Sequence, residues 1–532
     1  MRKVLSIVFS LTLVFGNAQE KVWVFFKDKP NVDNQILQPE KYLSSQSLER
    51  RASQNIDLHP TDFPVESSYL NEIRNLNIPV VRSSKWLNAS SVYVSSQIEI
   101  DLLEALPFVE KVSPVKALKM TEVESFYKTN KSAAASLNYG DSKTQIQQLN
   151  GDFLHDQGYR GQGMMIAVID GGFSDVDLIG GFDSLWMNGR IVTSYDFVDN
   201  DTNVFHLGSH GRSVLSVMGG YIDGVYVGTA PNANYVLLKS EDESSEKKVE
   251  EDNWVAAAEF ADSVGADVIN SSLGYNTFDG GIGDYVYSDF DGRTTVVSQG
   301  AVWAHRKGIL VVNSMGNEGS SSWQYMLSPA DADSILSIGG ADGANNHVGF
   351  ASVGPTFDGR LKPNVSALAT GVYVLSGSNT TQPGNGTSFA APLISGLAAC
   401  LWQADPTLTN YQVLELIERS SHQHTNPDTL LGYGIPNFAL AFNNISIDER
   451  SALLNLKIYP VPFGDELTVE GFGENQSEIE VSLTNLNGTS IETKSHFEND
   501  KLVIDNLGSL SSGVYILTII SNNKSSSFKV LK

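Results

Sequence analysis

A single cysteine, Cys400, stands among 532 residues, so no disulfide can form within the chain. It lies in the apolar stretch Leu397-Ala398-Ala399-Cys400-Leu401-Trp402 and reads as a small buried hydrophobe rather than a nucleophile. Positive charge is scarce too. Thirty-six Lys and Arg face 61 Asp and Glu, a net charge of −25. From Ser136 to Ile445 the count is 13 against 34, whereas from Glu20 to Ala135 it is 14 against 15. So acidic a body repels phosphate backbones, which excludes nucleic acid as a partner class. After residue 15 no run approaches the ~18 consecutive apolar residues that span a bilayer, and no repeat at a fixed period appears.

What is present begins at the N-terminus. Arg2 and Lys3 precede the apolar run Val4 to Phe15 and then Gly16-Asn17-Ala18, the layout of a secretory signal peptide over 1–18. The product is expected outside the cytoplasm, soluble and without an integral membrane segment once the signal is removed. Lacking disulfides, it must rely on core size or on bound ions for stability. Hydrophobic residues at 41% and charged residues at 18% suit folded globular protein, and the length calls for two to four domains.

Three further segments follow. Residues 19–135 open on the β-rich Val22-Trp23-Val24-Phe25-Phe26, with a second strand predicted at Ala89–Val94 and a helix at Glu99–Leu106. They end in the polar, small-residue stretch Lys128–Ala135, suited to a linker or a processing site. Residues 136–445 alternate short apolar runs (Met165–Ile169, Tyr235–Leu238, Ala266–Ile269, Ile309–Val312, Ile335–Ile338) with helical patterns at Ser213–Met218, Val249–Val264 and Thr295–Lys307. This is the α/β signature of a mostly parallel sheet sandwiched by helices, whose working groups gather at the carboxyl ends of the strands. Residues 453–532 change character, with alternation at Glu478–Leu483, Val514–Ile519 and Phe528–Leu531 and the turn pair Asn487-Gly488, which predicts a small β-sandwich.

Chemistry concentrates in the middle segment. Gly386-Thr387-Ser388-Phe389-Ala390-Ala391-Pro392 places a serine where a glycine-rich loop meets the helical run Phe389–Gln403, so its backbone N–H can point at a developing oxyanion. A serine hydroxyl needs a base, and Ser209-His210-Gly211-Arg212 offers one before another helical run. Asp170 ends the buried strand of Ile166-Ala167-Val168-Ile169-Asp170-Gly171-Gly172, where a carboxylate can orient an imidazole. Each taken alone has an ordinary structural reading as an N-cap serine, a surface histidine or a turn aspartate. Together, and in the order Asp, His, Ser, they match one of the known serine-protease orders.

The region Ser136 to Ile445 therefore resembles the subtilisin-like proteases (subtilases), on the blocks around Asp170, His210 and Ser388. The resemblance implies a catalytic triad of these three residues, with Asn317 of Met315-Gly316-Asn317-Glu318-Gly319 in the oxyanion hole. It makes Ser272, Leu273 and Gly274 of Asn270-Ser271-Ser272-Leu273-Gly274 the substrate-binding strand. Arg212 stands where most relatives carry threonine, and Gly172 where serine is frequent; neither removes a reacting group. The near-neutral 19–135 sits where subtilases carry a pro-segment that assists folding and blocks the cleft, with self-cleavage expected between Met120 and Asn150. Ile458-Tyr459-Pro460-Val461-Pro462-Phe463, Ser512-Gly513-Val514-Tyr515 and Phe528-Lys529-Val530-Leu531-Lys532 resemble the sorting domain of type IX secretion in Bacteroidetes. That implies the type IX machinery as a partner, and export across the outer membrane to the exterior or the cell surface.

The expectation is thus a secreted serine endopeptidase, made as a self-processing precursor, that hydrolyses polypeptides through an acyl-enzyme. Its own pro-segment acts as intramolecular inhibitor. The rival from another class is a secreted binding protein or adhesin on a protease scaffold. An esterase is disfavoured by the chain order and the lack of a Gly-x-Ser-x-Gly elbow. No cofactor is required. Structural Ca2+, frequent among subtilases, is left open: Asp196–Asp201 and the stretch holding Asp279, Asp284, Asp289 and Asp291 suit a hard cation, yet solvated loops are the plainer reading. No metal ligand is assigned.

Overall fold

The computed structural model describes residues 19–114, 137–281, 283–451, 457–470, 479–485, 490–491, 493–498, 501–511, 513–521 and 524–532. The expected signal peptide, the Lys128–Ala135 stretch and the Asn487-Gly488 turn lie outside them. The chain forms two compact units, Met1–Ala441 and Phe442–Lys532.

In the first unit seven strands form one parallel sheet. Its spatial order is Val365–Leu368, Leu336–Ala341, Leu310–Ser314, Val268–Ser271, Met165–Asp170, Asn234–Lys239, Ile191–Asp196. The inner strands are largely apolar on both faces because both are covered, whereas the edge strand Ile191–Asp196 is mixed. Met165, Ala167 and Ile169 face the helices Val249–Val264 and Val296–Arg306, in a core with Trp254, Ala258 and Val297. The helices His210–Gly219 and Thr387–Ala404 pack on each other, and both contact the Met165–Asp170 strand.

Residues 19–114 add a four-stranded antiparallel sheet, ordered Val80–Ser84, Ala89–Val94, Glu20–Phe26, Val109–Pro114. Alternation along its first strand divides the labour. Val22, Val24 and Phe26 join Ile73, Val92 and Leu103 in a core of their own. Trp23 and Phe25, with Trp86 and Ala89, face the other way into the core shared with the Val249–Val264 helix.

That junction also buries charge. Asp262, with no exposed side-chain surface, contacts Arg50 at 2.5 Å, Arg51 at 2.8 Å and Lys85 at 3.3 Å. Asp62 in turn pairs with Arg51 at 2.7 Å and Lys307 at 2.8 Å. Burial alone would push the Asp262 carboxyl upward, but Arg51, Lys85 and Arg50 outweigh it and hold the group below the usual carboxylate range. Glu259 accepts from Ser84 Oγ and from the backbone N–H groups of Lys85 and Trp86, and Lys21 pairs with Asp252 at 2.5 Å.

The second unit contains two four-stranded antiparallel sheets. Leu467, Val469, Leu502 and Ile504 from one meet Leu483, Leu517, Ile519 and Val530 from the other in a single core. It is a small β-sandwich.

Candidate active site

Three strands of the sheet deliver functional side chains at their carboxyl ends. Asp170 is the last residue of the Met165–Asp170 strand and is fully buried. Its Oδ1 accepts from Gly171 N at 2.8 Å and lies 2.7 Å from His210 Nδ1. His210 opens its helix, so the imidazole belongs to the first turn rather than to a preceding loop. Close approach depends on Gly211, where a Cβ would meet Gly172 O at 2.6 Å and Asp170 Cβ at 2.9 Å. The negative charge of Asp170 raises the His210 pKa above its ordinary value; their hydrogen bond and the charge of Glu243 add to this, against the opposing effect of burial. The imidazole keeps 37% of its side-chain surface open.

Ser388 lies in the first turn of the Thr387–Ala404 helix. Ser395, two turns on, donates to buried Asn270 Oδ1 at 2.8 Å, which fixes this helix against the strand leading to Ser272. Ser272 Oγ donates to the Ser388 carbonyl at 2.8 Å, and Ser388 Oγ donates to the Ser272 carbonyl at 3.4 Å. Among the described residues no hydrogen bond joins His210 to Ser388. The His210 ring does stand 6.0 Å, centroid to centroid, from the ring of Phe389 next to the serine.

Asn317 follows the Leu310–Ser314 strand by three residues, past Gly316 at φ +100°. Its Oδ1 accepts from Thr387 N at 3.0 Å and Thr387 Oγ1 at 3.2 Å, which commits the oxygen inward and leaves Nδ2 as the outward donor. A Cβ placed on Gly386 would lie 3.7 Å from both Asn317 Nδ2 and Ser388 N. These two N–H groups, with Asn317 Oδ1 at 3.8 Å, border the space beside the glycine, whose φ of +144° side chains rarely adopt. Thr387, buried and bonded to Gly316 N and O as well, is the brace that sequence reading passed over.

Ser272, Leu273 and Gly274 line a cleft of about 540 Å³ with Asp170, Gly171 and His210. Asn313 Nδ2 donates to the Leu273 carbonyl at 3.1 Å and holds the strand end in place. The opposite wall comes from Glu241, Asp242, Glu243, Glu246 and Glu250. That wall was also missed, although Glu241-Asp242-Glu243 begins just past Ser240, the residue after the Asn234–Lys239 strand, at the end of the sheet where ligands bind.

Of the two departures, Arg212 reaches Asp175 at 3.0 Å and the Ser174 carbonyl at 3.1 Å, which pins the turn after Asp170 to the His210 helix. Gly172 adopts φ +145°, and a Cβ there would strike the Leu207 carbonyl at 2.1 Å. The acidic loops spend their carboxylates locally. Asp196, Asp199 and His206 approach one another, but Lys239 Nζ sits 2.7 Å from Asp196 Oδ2. Asp279, Asp284, Asp289 and Asp291 each accept from a backbone N–H in their own turns or in the neighbouring Glu246 loop. Cys400 is buried, and burial pushes its thiol well up.

Such a sheet and cleft are those of a hydrolase, a serine endopeptidase. Residues 161–434 match the Subtilase family, and the chain belongs to that family. Residues 21–133 match the Peptidase S8 propeptide domain of Bacteroidota, and residues 457–532 a secretion system C-terminal sorting domain. The protein is thus a serine protease with a propeptide and a secretion tail, placed outside the cell or on its surface. It is 32% identical over 301 residues to a subtilisin of Bacillus pumilus, across 54% of this chain and 92% of that one. Subtilisin NAT of Bacillus subtilis subsp. natto is also 32% identical, with 54% and 67% covered. Fervidolysin from Fervidobacterium pennivorans, a keratinolytic enzyme related to subtilisin, shares the fold with a TM-score of 0.55 at 18% identity, covering 97% of this chain and 77% of that one. Among the described residues no helix is long and apolar enough to cross a membrane.

Proposed function

We propose that Asp170, His210 and Ser388 act as a triad that cleaves peptide bonds through an acyl-enzyme. A peptide added along Ser272–Gly274 would donate an N–H to the Ser272 carbonyl. That donation displaces the Ser388 hydroxyl, which now points at the same oxygen, and frees it to turn toward His210 Nε2. Catalytic hydrogen bonds commonly tighten only when substrate is seated. His210 then takes the proton as Ser388 Oγ attacks the carbonyl carbon, and later returns it to the leaving amine. Asp170 holds the imidazole by Nδ1 and favours its cation. Asn317 Nδ2 and Ser388 N receive the oxyanion in the space beside Gly386.

The convergence of those two donors carries the reading. A protein that only binds has no use for an oxyanion seat beside an Asp–His pair. The domain limits proposed are a signal peptide at 1–18, a pro-segment at 19–135, a catalytic region at 136–445 and a sorting domain at 453–532, with self-cleavage between Met120 and Asn150. The pro-segment serves as intramolecular inhibitor, and the tail is the address read by the type IX machinery.

Ser388→Ala should lower casein hydrolysis by about 10⁶ and leave the pro-segment attached. A fluorophosphonate probe should label the secreted wild-type protein at Ser388. Folded, processed protein that takes no label would instead support the binding-protein reading.

A further inference from the structure

The cleft is lined by acidic groups. Besides Asp170, its lining includes five carboxylates, on Glu241, Asp242, Glu243, Glu246 and Glu250, and no lysine or arginine. Three of the five are engaged by the fold. Glu241 accepts from Ser240 Oγ and Tyr275 OH, both at 2.6 Å, and Glu250 accepts from the backbone N–H groups of Asp242 and Lys247. Asp242 accepts from Ser244 and Ser245 and stands 3.9 Å from Lys247 Nζ. Glu243 is different. It is exposed, and its Oε1 lies 3.1 Å from where a Cβ on Gly171 would be, beside the Asp170–His210 pair. Glu241, Glu246 and Glu250 bring carboxylate oxygens to within 4.8 Å of one another.

A peptide bound for attack at Ser388 runs from the oxyanion seat past His210 and along Ser272–Gly274. In an extended chain successive side chains point to opposite sides. The residue supplying the scissile carbonyl therefore points one way, and the residue before it points over His210 and Gly171. We infer that Glu243 is a specificity-determining residue, selecting substrates with lysine or arginine at the position just before the residue that supplies the scissile carbonyl. The inference rests on the triad reading above and names the substrate class of that cleft. A cationic side chain beside the Glu243 carboxylate gains from its charge, and an acidic one is repelled by it.

The chain's own sequence agrees. Near the end of the pro-segment lie Lys128-Thr129-Asn130 and Lys131-Ser132-Ala133. The propeptide match ends at residue 133. Cleavage after Thr129 or Ser132 places a lysine at the selected position, so the mature N-terminus should be Asn130 or Ala133.

The test uses fluorogenic tetrapeptide amides with the third position fixed as Lys, Arg, Leu or Glu and the others mixed, given to the secreted protein at low ionic strength. Lys and Arg should exceed Leu in kcat/KM by about fivefold or more, the scale of one or more partly exposed ion pairs, and Glu should be poorest. Glu243→Gln should shrink the Lys-over-Leu ratio by about threefold, and Glu243→Lys by about tenfold. Equal use of Lys and Leu, or a ratio unmoved in both variants, overturns the inference while leaving the triad intact. A preference that appears only after chelation would show a divalent cation filling the wall, and also overturns it. Fluorescence anisotropy of labelled Lys and Leu peptides on the Ser388→Ala protein separates the two readings. Tighter Lys binding without any hydrolysis by the wild-type protein would sink the triad and keep the cleft's preference; equal binding sinks the preference itself.

Discussion

Two clusters of acid groups in the first unit are treated in opposite ways. At the pro-segment junction, Asp262 is surrounded by Arg50, Arg51 and Lys85, so its charge is held even though it is buried. At the cleft, Glu241 is buried beside other carboxylates. Burial first, and Glu250 second, push its pKa up to about 8, while Glu246 rises to about 7 for similar reasons. Where acid groups are matched by cations they fasten parts of the molecule together. Unmatched by cations, buried acid groups are a standing cost to the fold.

The largest effect expected from breaking this contrast is at the junction. In the uncleaved Ser388→Ala protein, Asp262→Asn leaves three cations facing an uncharged partner in a buried site. Urea unfolding should show a loss of about 3–5 kcal/mol. A loss under ~1 kcal/mol would mean the cluster is wet and does little to hold the pro-segment.

The same kind of change at the cleft should act with the opposite sign. The raised pKa of Glu241 means its contribution is fully favourable below the unfolded value of 4.5 and is lost as pH climbs toward about 8. Glu241→Gln should therefore stabilise at pH 8, by on the order of 1 kcal/mol, and flatten the fall in Tm between pH 4.5 and 8. Equal Tm–pH curves for the two proteins would show that Glu241 is not strained by its neighbours.

The smallest effect sharpens the contrast at Glu243. Its negative charge favours the His210 imidazolium, so Glu243→Gln should lower that pKa. The base is then free at lower pH, and the acid limb of kcat/KM should move down by a fraction of a pH unit. A limb that moves up would contradict the placement of Glu243 beside the imidazole.

Much of this was legible in the residues. The helix Val249–Val264 was read to the residue, and five of the seven sheet strands to within a few positions, because apolar runs bounded by Gly, Asp or Asn mark buried parallel strands. The edge strand Ile191–Asp196 was missed because its faces are mixed polar and apolar, and Val365–Leu368 because it is short and follows Pro363. His210 and Ser388 were expected just ahead of their helices and lie inside the first turns, the uncertainty usual at helix ends. The helix Ser45–Ser53 gave no apolar signal, since what it buries is Arg50 and Arg51. Only the fold brings them to Asp262, more than two hundred residues on. The acidic wall was visible as composition but not as one side of a cleft, because pairing across space is not written locally.

Gly386 has a consequence for telling working enzymes from inert copies. An Asp–His–Ser set can persist in a sequence after activity is gone, so its presence alone is a weak mark of a live enzyme. A methyl group at position 386 would stand 3.7 Å from Asn317 Nδ2 and Ser388 N, in the space that the proposed triad gives to the reaction's negative oxygen, and φ +144° there already disfavours any side chain. In variants of this chain, the residue to inspect first is the one with no side chain at all.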